Sequence, residues 1–271
     1  MQLTRHTTVH GPRWASDGLW LAENFALGDL LALPLEQIGS FIEQAQTAQP
    51  AQGALLAPLE AVHEVWASGV TYQRSREARQ LESTVGDVYD RVYAAPRPEL
   101  FFKAIGWRVM GHEQPLRIRS DSSWNVPEPE LTLVINRHGE IVGYTAGNDM
   151  SSRSLEGENP LYLSQAKIYN ASCSLGPAIQ LRGADQLNNL SIEIAIERAG
   201  EPVFTGNTST AKMNRELEKL VEYLYRELSF PQGAFLMTGT GIVPPETFSL
   251  ALGDRITISV GKLTLINEIG E

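Results

Sequence analysis

The chain has 271 residues, 42% of them hydrophobic, which is enough to bury a large core as one domain or as two unequal ones. Its net charge of −10 argues against a nucleic-acid surface or an anionic membrane face. No apolar run reaches the ~20 residues of a membrane helix, and the N-terminus lacks the apolar centre of a signal peptide. With a single cysteine, Cys173, intrachain disulfides are impossible and a reducing, cytoplasmic setting is expected.

Residues 1–60 read as a small leading α+β domain with its linker, and residues 61–271 as the catalytic domain. LTRHTTVHG and GLWLAENFAL suggest short strands, LPLEQIGSFIEQAQTA has helical spacing opened by Pro34, and QPAQGALLAP reads as a linker. His6, His10 and His63 are too scattered for ligands. EVWASGVTY predicts a strand, and SREARQLESTVGDVYDRVYA a helix with Val85, Val88 and Val92 on its apolar stripe. RPELFFKAIG predicts a strand buried on both sides through Leu100, Phe101 and Phe102. Glu99 and Lys103 bracket that strand, either as solvated ends or as groups facing a ligand, Lys103 then being a substrate-binding cation. His112 reads as a loop histidine.

The stretch from Trp124 to Pro177 carries the chemistry. Glu128 and Glu130 are two apart at the head of a strand, so both carboxylates share a face. Pro127 and Pro129 cannot donate to a ladder, which places the pair at a strand start or a sheet edge. His138-Gly139 supplies a turn, Glu140 to Ala146 returns as a strand, and Asp149 follows where that strand ends. Three carboxylates converging at one end of a hairpin suit a hard divalent cation: Mg2+, with Mn2+ or Ca2+ as alternatives. A solvated acidic rim is the bland alternative for E-x-E alone. Lys167 and Arg153 would offset the excess negative charge and hold a substrate carboxylate. Cys173 reads as a packed residue and not as a nucleophile.

Beyond Pro177, SIEIAIERAGEPVFTGNTS predicts a hairpin turning at Gly200, and Thr210 to Leu228 an amphipathic helix. AFLMTGTGIV predicts a strand entering a glycine-rich turn, where Thr240 could donate to a ligand carboxylate. DRITISVGKLTLINEI closes as a hairpin.

Glu128-Pro129-Glu130, Gly143 to Arg153, Lys167 and Leu175-Gly176-Pro177 together resemble the fumarylacetoacetate hydrolase family, over roughly Glu64 to Ile269. RPELFFKA, IRSDSSWNVPEPEL and LEGENPLYLSQAKIY are similar to its 2-keto-3-deoxy-D-arabinonate dehydratase branch. The resemblance implies a mainly β, α+β fold, a mixed β-sandwich roll behind a small N-terminal domain, assembling as a homodimer or homotetramer. It implies Mg2+ on Glu128, Glu130 and Asp149, a 2-keto acid substrate, and a metal-stabilised enolate on the way to 2,5-dioxopentanoate. It also implies proton transfer by Lys167 and Glu99, with Arg153, Thr240 and Lys103 binding substrate. Hydrolase branches carry N-Y-x-x-H-x-x-E to activate water. Here Thr71-Tyr72-Gln73-Arg74-Ser75-Arg76-Glu77-Ala78 puts Ser75 at the His and Ala78 at the Glu. The departure argues against the alternative, a C–C hydrolase of acylpyruvates. A keto-diacid decarboxylase or isomerase and a non-catalytic keto-acid sensor are further readings.

Overall fold

A computed structural model describes residues 1–82 and 87–271, so Val85 of the expected stripe lies outside the described residues. The first 60 residues form strands β1 (Gln2–Thr8), β2 (Gly11–Ser16) and β3 (Leu19–Leu21), helices α1 (Leu27–Leu31) and α2 (Leu35–Ala45), then strands β4 (Gln46–Pro50) and β5 (Leu55–Leu56). Gly18 turns β2 into β3 at φ +79°, a conformation that costs other residues energy. Pro34 caps α2 from extended backbone, where its missing N–H is no loss. Helix α1 is absent from the sequence reading because five residues are too few to show a period. The expected helix ends early, at Ala45, and its last residues, Gln46 to Ala48, open β4, which pairs with β3; within the expected linker, β5 pairs with β1.

Next come β6 (Glu64–Gly69), α3 (Gln73–Glu82), α4 (Asp87–Ala94), β7 (Glu99–Ile105), β8 (Asn125–Val126), β9 (Pro129–Ile135), β10 (Ile141–Asp149) and β11 (Ser151–Ser152). Helices α5 (Arg153–Glu158) and α6 (Leu163–Lys167) follow, then β12 (Cys173–Leu181), β13 (Ser191–Arg198), β14 (Glu201–Ser209), α7 (Leu217–Tyr225), β15 (Ala234–Met237), β16 (Arg255–Val260) and β17 (Leu263–Glu268).

The larger sheet has eleven strands in the order β4-β3-β2-β1-β12-β10-β9-β15-β6-β7, with β5 on β1; a second sheet runs β14-β13-β16-β17. Strand β9 is buried along its whole length, and its two faces feed two cores. Leu131, Leu133 and Ile135 pack with Ile192, Ile194, Ile258 and Leu265 of the second sheet and with α7. Val134 faces the other way, toward Val142, Ile179 and Phe235 and the helices α1 and α2. A strand covered on both sides reads as a near-continuous apolar run, and LTLVI is one, broken only by the buried Thr132. The chain is thus the expected sheet-dominated α+β molecule, and the leading 60 residues add their strands to the same large sheet through β1 and β12.

Two expectations about elements are corrected. Strand β7 closes the sheet as its last member, so Leu100, Phe101 and Phe102 are half-buried and not enclosed on both sides. The helix expected over Thr210 to Leu228 is only Leu217–Tyr225; the Thr210 hydroxyl donates to the Leu187 carbonyl, a single 3-10 turn follows, and Leu228 is exposed. Among the described residues no helix is long and apolar enough to cross a membrane.

Candidate active site

Pro129 opens β9 opposite Asn148, and Glu130 lies opposite Gly147. Of the two positions the prolines allowed, the strand start is the one used, since β9 sits inside the sheet between β10 and β15. The turn before β10 is held by Asn136, whose Oδ1 accepts from the backbone of His138 and Glu140. Asp149 ends β10, and its N–H donates to the Glu128 carbonyl at 3.0 Å. One oxygen each of Glu128, Glu130 and Asp149 therefore lies within 4.8 Å of the others, and all three residues are buried.

Each carboxylate is met from outside by a different group. Arg153 Nη2 donates to Glu128 Oε1 at 2.7 Å, the Gly239 N–H to Glu130 Oε2 at 2.6 Å, and Lys103 Nζ lies 2.5 Å from Asp149 Oδ1. Lys167, the last residue of α6, bridges the inner oxygens, at 2.6 Å from Glu128 Oε2 and 3.0 Å from Asp149 Oδ2, and donates to Ser151 Oγ at 2.7 Å. Its ammonium also lies over the Phe101 ring, 5.6 Å from the centroid. Buried charges on this scale survive only when paired.

Burial, then the charges of Asp149 and Glu128, push the Glu130 carboxyl well above its usual range. With every group ionised, the carboxylates of Glu128, Glu130, Asp149 and Glu156 outnumber the cations Lys103, Arg153 and Lys167 by one. A bound dication turns that deficit into a single positive charge, which one monoanionic ligand cancels. The all-oxygen donor set suits Mg2+ or a similar hard ion, so the residues present fit such a metal.

The cluster lines one cleft, together with apolar side chains, the mixture usual for small-molecule sites. Glu99, Lys167 and Thr240 border it, with Ser75, Tyr89 and Phe101. The Thr240 hydroxyl turns onto its own loop, donating to the Ile242 carbonyl at 3.2 Å. Lys103 and Arg153 are not among the bordering residues: both point at the backs of the carboxylates. Lys103 pairs with Asp149 and Arg153 with Glu128, two carboxylates of the cluster. Sequence reasoning missed Glu156, which is buried, borders the cleft, pairs with Arg153 at 3.0 Å and lies 3.8 Å from Lys167. The signal available was its place three residues after Arg153 on one helix face.

Strand pairing places Glu99 opposite Gly69, and a Cβ on Gly69 would sit 2.0 Å from Glu99 Oε2. Gly69→Ala must therefore displace the Glu99 carboxylate. A lowering of kcat/KM by about 10–100-fold with unchanged circular dichroism is expected, the usual effect of a misplacement near 1 Å.

The remaining candidates are structural. His63 is buried, with Nδ1 accepting from the Glu60 N–H, and burial lowers its pKa; His112 Nδ1 accepts from the Ile266 N–H. Burial pushes the Cys173 thiol up to about 12. A maleimide at mildly alkaline pH should leave native protein unlabelled and modify Cys173 only after denaturation.

Residues 64–270 match the family described as fumarylacetoacetate (FAA) hydrolase C-terminal. A probable 2-keto-3-deoxyxylonate dehydratase of Haloferax volcanii is 47% identical over 214 residues, 78% of this chain and 73% of the relative. A 2-dehydro-3-deoxy-D-arabinonate dehydratase of Saccharolobus solfataricus is 43% identical over 215 residues, 76% of this chain and 71% of the relative. Among solved structures, 2-keto-3-deoxy-D-arabinonate dehydratase complexed with magnesium and 2,5-dioxopentanoate superposes with a TM-score of 0.84 at 31% identity, covering 100% of this chain and 99% of that one. The apo form of that enzyme gives 0.84 at 32% identity, with coverage of 100% and 99%. On its fold, its acidic cluster and these matches, the chain belongs to the fumarylacetoacetate hydrolase family.

Proposed function

We propose that this chain is a divalent-metal-dependent dehydratase of a 2-keto-3-deoxy sugar acid, converting 2-keto-3-deoxy-D-arabinonate to 2,5-dioxopentanoate. The observation that carries the reading is the buried triad Glu128, Glu130 and Asp149 with Lys167 against two of its members. The similarity to dehydratases supports the substrate class, and the magnesium in one similar structure supports the ion. Mg2+ is the preferred cation, with Mn2+ as its substitute, and the assembly that goes with this reading is a homodimer or homotetramer.

A cation held by the triad would supply Lewis acidity toward a 2-keto oxygen, which makes the C3 hydrogen acidic. Lys167 borders the cleft beside the triad and, once it has released the proton it shares with Glu128 and Asp149, takes one from C3 as a neutral amine. Glu99, on the last strand of the sheet, returns a proton to the departing C4 hydroxyl, so that water leaves and a C3=C4 double bond remains. Migration of that bond to C4=C5 gives an enol, whose tautomerisation leaves the aldehyde of 2,5-dioxopentanoate. Apolar cleft walls, including Phe101, Val88 and Leu163, keep bulk water from the charged floor. Ser75 and Ala78, at the positions where the hydrolase branches carry a water-activating His and Glu, count against water-driven C–C cleavage.

The test is a coupled assay on 2-keto-3-deoxy-D-arabinonate, in which a 2,5-dioxopentanoate dehydrogenase reduces NADP. A signal that needs Mg2+ and is lost with EDTA is expected. Absence of signal in wild-type protein that binds Mg2+ would reject this substrate.

A further inference from the structure

The ammonium of Lys103 has no exposure to solvent, and three oxygens converge on it: Asp149 Oδ1 at 2.5 Å, the Met150 carbonyl at 2.9 Å and the Lys167 carbonyl at 2.5 Å. The ammonium donates to the two carbonyls and pairs with the Asp149 carboxylate, and it does not border the cleft. The acceptors are a member of the triad, the residue after it, and the backbone of the residue whose ammonium reaches the triad. Lys103 stands on β7, while Asp149 ends β10, and three other strands separate these two in the sheet. One buried side chain thus ties the sheet's last strand to the ends of β10 and α6. Because it holds Asp149 by Oδ1, it decides that Oδ2 is the oxygen turned to the cluster, where Lys167 meets it at 3.0 Å.

We propose that Lys103 is a positioning residue of the metal centre: it fixes the Asp149 carboxylate and the Lys167 backbone together, so metal affinity and proton-transfer geometry depend on it jointly. The inference rests on Glu128, Glu130 and Asp149 being the metal ligands. Groups that orient a ligand from behind commonly matter by about 10–100-fold in metal affinity.

The experiment compares wild type, Lys103→Met, Asp149→Asn and the double variant. Mg2+ affinity is measured by calorimetry, melting in EDTA by circular dichroism, and kcat and KM by turnover. Lys103→Met is expected to bind Mg2+ about 10–100-fold more weakly, and to lose kcat more than it raises KM. In EDTA, Asp149→Asn should melt below wild type, because it strands a buried ammonium, and adding Lys103→Met should restore part of the loss. Were Lys103 not holding Asp149, adding Lys103→Met to Asp149→Asn would restore nothing, since the loss would come from the Asp149 pair with Lys167 at 3.0 Å. Wild-type binding of Mg2+ with unchanged affinity in Lys103→Met overturns the role of Lys103 alone. Failure of wild type to bind Mg2+ overturns the metal site and this inference with it. If Lys103→Met does not fold, Lys103→Gln is measured in its place, and unchanged Mg2+ affinity in that variant overturns the role of Lys103.

Discussion

Glu128→Gln is expected to abolish both Mg2+-dependent stabilisation and turnover, and also to weaken the metal-free fold. Glu128 takes Arg153 on one oxygen at 2.7 Å and Lys167 on the other at 2.6 Å, all three side chains being buried. Removing the shared anion leaves two buried cations short of a counter-charge, and breaking one such pair costs about 3–5 kcal/mol. The metal-free melting temperature should therefore fall by several degrees. Glu130→Gln should behave in the opposite way in EDTA while losing the Mg2+ response just as completely. Burial and the charges of Asp149 and Glu128 already disfavour an ionised Glu130, so a neutral amide removes an unfavourable charge. Melting curves of both variants with Mg2+ and with EDTA check the pair of signs. A Glu128→Gln protein as stable in EDTA as wild type would contradict the charge arrangement described here.

Lys167→Met should lower kcat by about 10²–10⁴-fold, the range for loss of a positioned proton carrier. Its effect on Mg2+ should be small or favourable, since the substitution takes a cation away from Glu128 and Asp149. The combination of intact metal binding with lost turnover is the signature to look for, by calorimetry alongside steady-state kinetics. Comparable losses of both would mean that Lys167 serves mainly to hold the carboxylates together.

What the chain reveals from its sequence follows from how local each signal is. Glu128 and Glu130 share a face by the period of a strand, and Pro129 marks where that strand begins; Asp149 is reached through a turn that His138-Gly139 announces. Those three positions are set by covalent geometry within about twenty residues of one hairpin, and the structure gathers them within 4.8 Å. Lys103 and Arg153 differ because a long charged side chain can turn to either side of its element. Which side it takes depended on Asp149 and Glu128, partners 46 and 25 positions away by residue number. Glu156 was hidden in LEGENP, a stretch whose composition reads as a solvated loop. Strand β7 looked like an interior strand because its apolar residues do find partners, Leu100 in a core, Phe101 at the cleft and Phe102 on Trp66, and nothing in RPELFFKAIG marks it as the sheet's last strand. Strands β4 and β5 went unseen because their pairing partners, β3 and β1, supply the order that a Gln- and Pro-rich sequence does not specify.

The central claim is that a metal-holding triad and Lys167 remove water from a keto sugar acid without cutting its carbon chain. Carbon-13 NMR of uniformly labelled 2-keto-3-deoxy-D-arabinonate, incubated with the protein and Mg2+, tests it most directly. The predicted result is loss of the C4 carbinol signal and growth of an aldehyde in an unbroken five-carbon chain, both arrested by EDTA. Pyruvate together with a two-carbon fragment, or conversion that proceeds unchanged in EDTA, would contradict it.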